Sequence, residues 1–175
     1  MRYFVMAILF LISLTLQSTV FSHLTVAGVK PDLVLVFIVF YALLHGPYEG
    51  ALMGLTGGLL QDLLFGQNLG MNTLAKLAVG YVFGILEKKI YKDNILIPMV
   101  ALFLGTLLNE TILYFLRFFS YLIRPDDGSV GSYFVALQSV MLSVAIYNAC
   151  LAPFIYGRFY RSSHKGLLQN IDRLP

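Results

Sequence analysis

Long apolar runs broken by short polar turns alternate along the whole chain. They predict helices over Tyr3–Phe21, Pro31–Leu44, Tyr48–Phe65, Asn72–Leu86, Ile95–Phe119 and Tyr133–Tyr156. Glycine, proline and Asp-Asn dipeptides, which favour turns, separate these runs. Because about 20 apolar residues are enough to cross a bilayer, the pattern indicates a bundle of membrane-crossing helices. The first run is longer than the apolar core of a secretory signal, which favours a retained first span.

Composition supports a membrane protein. Hydrophobic residues make up 58% of the 175 residues and charged residues 12%, against about 25% charged residues in an average soluble domain. A soluble domain of this size could not bury so much apolar surface. We therefore predict an all-α integral membrane protein, with a six-helix transmembrane domain over residues 1–157 and a cytoplasmic tail over residues 158–175.

The basic residues predict the orientation of this bundle. Six crossings with both ends in the cytosol leave only Lys30 and Arg124 in the outer loops. Eight of the twelve lysines and arginines then lie inside, namely Arg2, Lys88, Lys89, Lys92, Arg158, Arg161, Lys165 and Arg173. This asymmetry follows the positive-inside rule and predicts an N-in, C-in topology. The second and third predicted helices are short, so a re-entrant hairpin with four crossings in total would satisfy the same charge distribution.

Glycines recur at every fourth residue on the third and fourth predicted helices. The two faces consist of Gly46, Gly50, Gly54, Gly58 and Asp62 on one helix and Asn72, Lys76, Gly80 and Gly84 on the next. Small residues at this spacing let two helix backbones approach closely, so we expect the two faces to meet in an antiparallel hairpin. Asp62 and Lys76 would then lie at similar depth, where an ion pair would neutralise two charges that are costly to bury singly.

Two interpretations of this region remain open. It is either a packing seam with a structural ion pair or a polar pocket below the outer surface that binds a partner or a small ligand. The ion pair predicts that Asp62→Ala impairs folding and that exchanging the charges of Asp62 and Lys76 partly restores it.

Further polar residues interrupt the apolar helices, where such residues are costly and usually have a role. The candidates are Gln17, Asp32, Asn109, Glu110 and Arg117. They either mark a relay or transport site or form hydrogen bonds between helices, as is also expected for Gln138 and Asn148. Arg117 lies two turns after Glu110, about 10 Å along the axis, which is long for a direct salt bridge, so we expect a water molecule or another helix between them.

The motifs that would indicate other kinds of function are missing from the sequence. It contains no catalytic motif, no metal-ligand spacing and no phosphate-binding loop. It also lacks the basic stripe with interleaved aromatic residues that is typical of nucleic-acid binding. We therefore predict no enzymatic activity, no cofactor and no nucleic-acid partner.

The order of motifs in the first half of the chain resembles the MreD family of rod shape-determining membrane proteins. The run LQSTVFS at 16–22 precedes KPDLVLVFIVFYALLHGPYEGALMGLTGGLLQDLLFGQNLGMNTLAKLAVGY at 30–81. The similarity includes Gln17-Ser18, Pro31-Asp32, Gly46-Pro47-x-x-Gly50, Gln61-Asp62 and Lys76-x-x-x-Gly80. The second half resembles the family in its pattern of spans.

The resemblance implies a multi-pass protein of the bacterial inner membrane without known catalytic activity. Members of the family act in the elongasome, the machinery that inserts peptidoglycan into the lateral wall. They work beside MreC, which has one transmembrane helix and a periplasmic domain. Indirect partners are MreB filaments, the glycosyltransferase RodA and a class B penicillin-binding protein, and membrane lipid surrounds the complex. The family is also similar to the six-helix substrate-binding subunits of ECF vitamin transporters, which makes a transport subunit the alternative function.

Overall fold

The computed structural model describes residues 2–23, 30–65, 70–89, 96–123 and 141–157, and these residues form helices without any strand. The helices are α1 (Arg2–His23), α2 (Leu33–His45), α3 (Pro47–Phe65), α4 (Met71–Ile85), α5 (Leu96–Ile123) and α6 (Met141–Gly157). A 3₁₀ turn over Leu86–Lys89 follows α4. The prediction of an all-α fold with six helices is confirmed. The predicted tail over residues 158–175, Gln138 and the start predicted for the last helix lie outside the described residues.

Helix α2 forms the centre of the bundle. Its sequence, LVLVFIVFYALLH, is apolar on every side, and all of its residues except Phe37 are buried. A helix that is apolar all round is stable only when it is surrounded. Here α1, α3, α4 and α5 pack against it, and α6 reaches it where the rings of Phe40 and Tyr156 meet edge to face at 5.2 Å.

Local chemistry explains where α2 and α3 begin. The side chain of Asp32 accepts a hydrogen bond from the backbone N–H of Leu35 and so caps α2. Pro31 therefore lies two residues before the helix instead of within its first turn. Pro47 is the first residue of α3, a position that needs no backbone N–H donor. Gly46, with a φ of 96°, joins the two helices as a one-residue link.

Among the described residues, one helix is both long and apolar enough to cross a membrane on its own. It covers Leu96–Ser120 within α5. The other apolar stretches are shorter, and α2, with 13 residues, has a length of about 20 Å. The structure thus shows six helices. That all six cross the membrane is inferred from the distribution of basic residues together with the helices.

Candidate functional site

A buried ion pair joins the start of α2 to α4. Lys76 Nζ lies 2.8 Å from Asp32 Oδ2, the side chain of Lys76 is fully buried and that of Asp32 is 14% exposed. Breaking such a pair leaves an uncompensated charge in a medium of low dielectric constant, which is strongly destabilising. The pair therefore holds α4 against the beginning of α2.

Asp32 is also the centre of a hydrogen-bond network between helices. Besides capping α2, its Oδ1 accepts a hydrogen bond from Gln17 Nε2 of α1 at 3.4 Å. Its backbone N–H donates to Asn148 Oδ1 of α6 at 3.0 Å. Asn148 Nδ2 in turn donates to Thr106 Oγ1 of α5 at 3.1 Å. Gln17 and Asn148 therefore form hydrogen bonds between helices. Through these bonds and the ion pair, α1, α4, α5 and α6 are all connected to Asp32 at the start of α2.

Asp62 has a different partner, the first turn of α4. Its Oδ2 accepts hydrogen bonds from the N–H of Gly70 at 3.0 Å and from the N–H and Oγ1 of Thr73 at 2.9 and 2.6 Å. Its Oδ1 accepts from the N–H and Nδ2 of Asn72 at 3.2 and 2.9 Å. Gly70, the residue before α4, has no side chain with which to cap the helix. Asp62 supplies the capping acceptor from α3, and its negative charge is favourable at a helix N-terminus.

The predicted ion pair between Asp62 and Lys76 is therefore wrong. Both residues lie on the facing sides of α3 and α4, as their spacing indicates. However, the carboxylate of Asp62 is occupied by five donors at the start of α4, and the ammonium of Lys76 is paired with Asp32. The prediction failed because it considered only the α3–α4 hairpin, whereas the carboxylate that binds Lys76 comes from α2.

The glycine faces of α3 and α4 are in direct contact. A Cβ atom on Gly50 would overlap the carbonyl oxygen of Gly80, and one on Gly54 would overlap the carbonyl oxygen of Lys76. Conversely, a Cβ on Gly80 would overlap the backbone of Gly50. These atoms belong to the main chain, so they cannot move away as a flexible side chain could. The α3–α4 pair is accordingly the most extensive helix contact among the described elements.

The contact extends over the full length of the hairpin, and we call it the glycine seam. At one end, a Cβ on Gly58 would lie 2.6 Å from Thr73 Cα. At the other, a Cβ on Gly84 would lie 2.6 Å from the carbonyl carbon of Gly46, whose own Cβ would lie 2.9 Å from Glu87 Oε2. The glycines of the seam therefore pack the backbones of α3 and α4 against each other.

A polar cavity of about 300 Å³ lies at the end of the bundle where α1 and α3 end and α2, α4 and α6 begin. Four of the predicted polar candidates line it, namely Gln17, Asp32, Glu110 and Arg117. The five helices other than α2 and the residues just before α2 form its wall, with Gln61 and Asn72 as the polar residues of α3 and α4. The cavity is distinct from the predicted pocket around Asp62 and Lys76, because neither of these residues lines it.

The polar residues of α5 lie in and beside this cavity. Asn109 is fully buried and its Nδ2 donates to Glu110 Oε1 at 3.2 Å. Glu110 lies within Coulombic range of Arg117 and of the Asp32–Lys76 pair. Glu110 and Arg117 both line the cavity, and no direct ion pair joins them in the part of the chain that the structure describes. This agrees with the prediction that the separation is long for a direct salt bridge.

Several residues of the site were not predicted to belong to it. Lys30 and Gln61 line the cavity, and Asn72 and Thr73 bind Asp62. A usable signal was present, because all four occupy the ends of predicted helices that the alternating topology places on one side of the bundle. Polar residues that share one end of a bundle are candidates for a common site even without a recognisable motif.

The distribution of polar and apolar side chains defines the class of protein. Large apolar side chains are exposed along the helices, for example Leu63 at 65% and Phe119 at 66%, whereas Lys76 and Asp62 are buried. Apolar surface outside and paired charges inside are typical of a helical membrane protein.

The family follows from comparison with known sequences. The sequence profile described as rod shape-determining protein MreD matches residues 1–162, and the chain belongs to this family of membrane proteins. The match covers all the described helices. No curated protein and no solved structure shows significant similarity to the chain.

Proposed function

We propose that the protein is a non-enzymatic scaffold subunit of the elongasome, which binds MreC and supports peptidoglycan synthesis in the lateral wall. Membership of the MreD family, over 162 residues, carries this proposal and implies a role in rod shape determination. Through MreC the protein is connected to MreB, RodA and a class B penicillin-binding protein.

The proposed topology has six crossings of the bacterial inner membrane with both ends in the cytosol. The excess of basic residues on the inner side supports this orientation. The short α2 is compatible with it because other helices surround α2, so its length need not match the thickness of the lipid. In this orientation the polar cavity lies at the periplasmic end of the bundle.

The surface of α3 that faces away from the glycine seam provides a binding face for the transmembrane helix of MreC. Leu52, Leu55, Leu59 and Leu63 are exposed there, and we call them the leucine stripe. Their spacing of three or four residues is the one with which one helix packs along another. The seam holds the stripe rigidly on the bundle, so a bound MreC helix would keep its periplasmic domain at a constant height above the membrane.

Co-purification in mild detergent tests this function. Tagged wild-type protein is expected to recover MreC, and the double change Leu55→Asn/Leu59→Asn is expected to reduce the recovered MreC about tenfold, since polar groups disrupt an apolar helix contact. The wild-type protein, unlike this double variant, should then restore rod shape to cells that lack it.

The matched control is Val100→Asn/Leu104→Asn on the exposed face of α5, which should leave MreC recovery unchanged. If wild-type protein recovers no MreC, the scaffold proposal is wrong. If the stripe variant and the control recover equal amounts, MreC binds another surface.

A substrate-binding subunit of a small-molecule transporter is the second candidate function. The polar cavity favours it, because its volume of about 300 Å³ lies at the lower end of the range for small-molecule pockets, about 300–1,000 Å³. Thermal denaturation with water-soluble vitamins distinguishes the two functions. A transport subunit should be stabilised by one of them at micromolar concentration, whereas the scaffold should respond to none.

A further inference from the structure

The acceptors and donors of the polar cavity are unevenly satisfied. Asp32, on its wall, is bound by Lys76, Leu35 and Gln17. By contrast, Gln61 Oε1 is buried and has no hydrogen-bond partner among the described residues. Within the described parts of the chain, Glu110 accepts one hydrogen bond, from the neighbouring Asn109. The buried part of the wall therefore offers acceptors that lack donors, which is unfavourable unless a donor occupies the cavity.

The accessible part of the same wall carries the opposite charge. Lys30 and Arg117 are both exposed and both line the cavity. Arg117 lies two turns beyond Glu110 on α5, so the cationic and anionic groups are separated by about 10 Å along the helix. Guanidinium and ammonium groups bind phosphate oxygens well. The cavity thus has an anionic, acceptor-rich interior and a cationic rim.

This polarity selects a ligand with one positive and one negative end. We propose that the cavity binds a phosphoethanolamine group, with its primary ammonium donating to Glu110 and Gln61 and its phosphate bound by Arg117 and Lys30. A primary ammonium has three N–H donors, which suits two separate acceptors. The cavity volume of about 300 Å³ lies within the range of small-molecule pockets, which suits a group as small as phosphoethanolamine.

Two sources could supply this group, an aminophospholipid of the surrounding membrane or a soluble phosphoethanolamine. Both have the chemistry that the cavity requires. The exposed side chain of Phe65 contributes an apolar segment to the wall, which would accommodate the glycerol and upper acyl region of a lipid. Binding at this end of the bundle is independent of the leucine stripe, so its test and the MreC test can fail separately.

The experiment measures binding to the purified full chain by native mass spectrometry. Phosphatidylethanolamine, phosphatidylcholine and phosphatidylglycerol with identical acyl chains serve as probes. We expect phosphatidylethanolamine to bind about tenfold more tightly than the other two, because neither a quaternary ammonium nor glycerol can replace the charge-assisted N–H donors. Soluble phosphoethanolamine, tested by thermal denaturation, identifies the source of the ligand.

Variants connect this preference to the cavity. Glu110→Gln is expected to remove the preference for phosphatidylethanolamine, and Arg117→Gln is expected to weaken all three lipids to a similar extent. The control Glu49→Gln changes a glutamate in the first turn of α3, at the opposite end of the hairpin, and should retain the wild-type preference. If a variant does not fold, the wild-type protein alone still overturns the proposal when it binds the three lipids equally and does not respond to phosphoethanolamine.

Each outcome has a defined meaning. A preference for phosphatidylethanolamine that Glu110→Gln abolishes supports the proposal with a lipid source. Stabilisation by soluble phosphoethanolamine that Glu110→Gln abolishes supports it with a soluble source. Equal binding of the three lipids together with no effect of phosphoethanolamine overturns it, and so does a preference that persists in Glu110→Gln.

Discussion

Gly54→Leu is expected to leave almost no folded protein. A Cβ at this position would already overlap the carbonyl oxygen of Lys76, and the remaining leucine atoms would force α3 and α4 apart. Separation of the two helices would also break the ion pair of Lys76 and the capping of α4 by Asp62. Size-exclusion chromatography of the detergent-solubilised protein should show that the monodisperse peak is lost.

A graded series tests whether close backbone contact is the cause. Gly54→Ala is expected to lower the free energy of unfolding by about 3 kcal/mol, the upper end of the usual effect of overpacking. For a chain of this length the thermal midpoint should fall by about 6–12 °C. The matched control is Gly157→Ala, where an added Cβ meets nothing within 4 Å and the midpoint should not fall. If Gly54→Leu unfolds at the same thermal midpoint as the wild-type protein, close backbone contact at the glycine seam is not required for folding.

Lys76→Met should have the next largest effect, since it removes one partner of a buried ion pair. Methionine has a similar shape, so the change removes the charge with little loss of packing. Asp32 then remains without its cation, and we expect the free energy of unfolding to decrease by about 3–5 kcal/mol. Equilibrium unfolding monitored by circular dichroism measures this decrease. Tryptophan fluorescence is unsuitable because the chain contains no tryptophan.

A second change distinguishes the observed pair from the pair that the sequence predicted. Adding Asp32→Asn to Lys76→Met should recover about half of the lost stability or more, because asparagine still caps α2 and no charge remains unpaired. Adding Asp62→Asn to Lys76→Met should instead lower the stability further, since an amide has only one oxygen to accept hydrogen bonds from Asn72 and Thr73. Exchanging the charges of Asp62 and Lys76 should likewise fail to restore folding. Rescue by either change at position 62 would show that the Asp32–Lys76 pair is not the essential one.

The helices and the glycine seam could be predicted because they depend on local patterns. The predicted bounds of α2, α3 and α4 differ from those observed by at most two residues at either end. A repeat of four residues places Gly50, Gly54 and Gly58 on one helix face whatever the rest of the chain does. A short turn then brings that face against the next helix. Each of these steps needs only neighbouring residues, so the sequence contains the information directly.

The partners of the buried charges could not be predicted in the same way. Periodicity and topology place Asp62, Lys76 and Asp32 at one end of the bundle, but they do not determine which carboxylate reaches the lysine. That choice depends on the position of α2 inside the bundle and on the unsatisfied N–H groups at the start of α4, which take Asp62. Both are properties of the assembled helices.

The sequence by itself therefore determined the class of protein, the six helices, the close hairpin and a set of polar residues without a common site. The tertiary structure decided that Asp32 pairs with Lys76, that Asp62 caps α4, and that Gln17, Glu110 and Arg117 line one cavity. The physical reason is that apolar periodicity specifies which side of a helix is buried. Hydrogen bonds and ion pairs, in contrast, require particular atoms within about 3 Å, and only the packing of all the helices sets those distances.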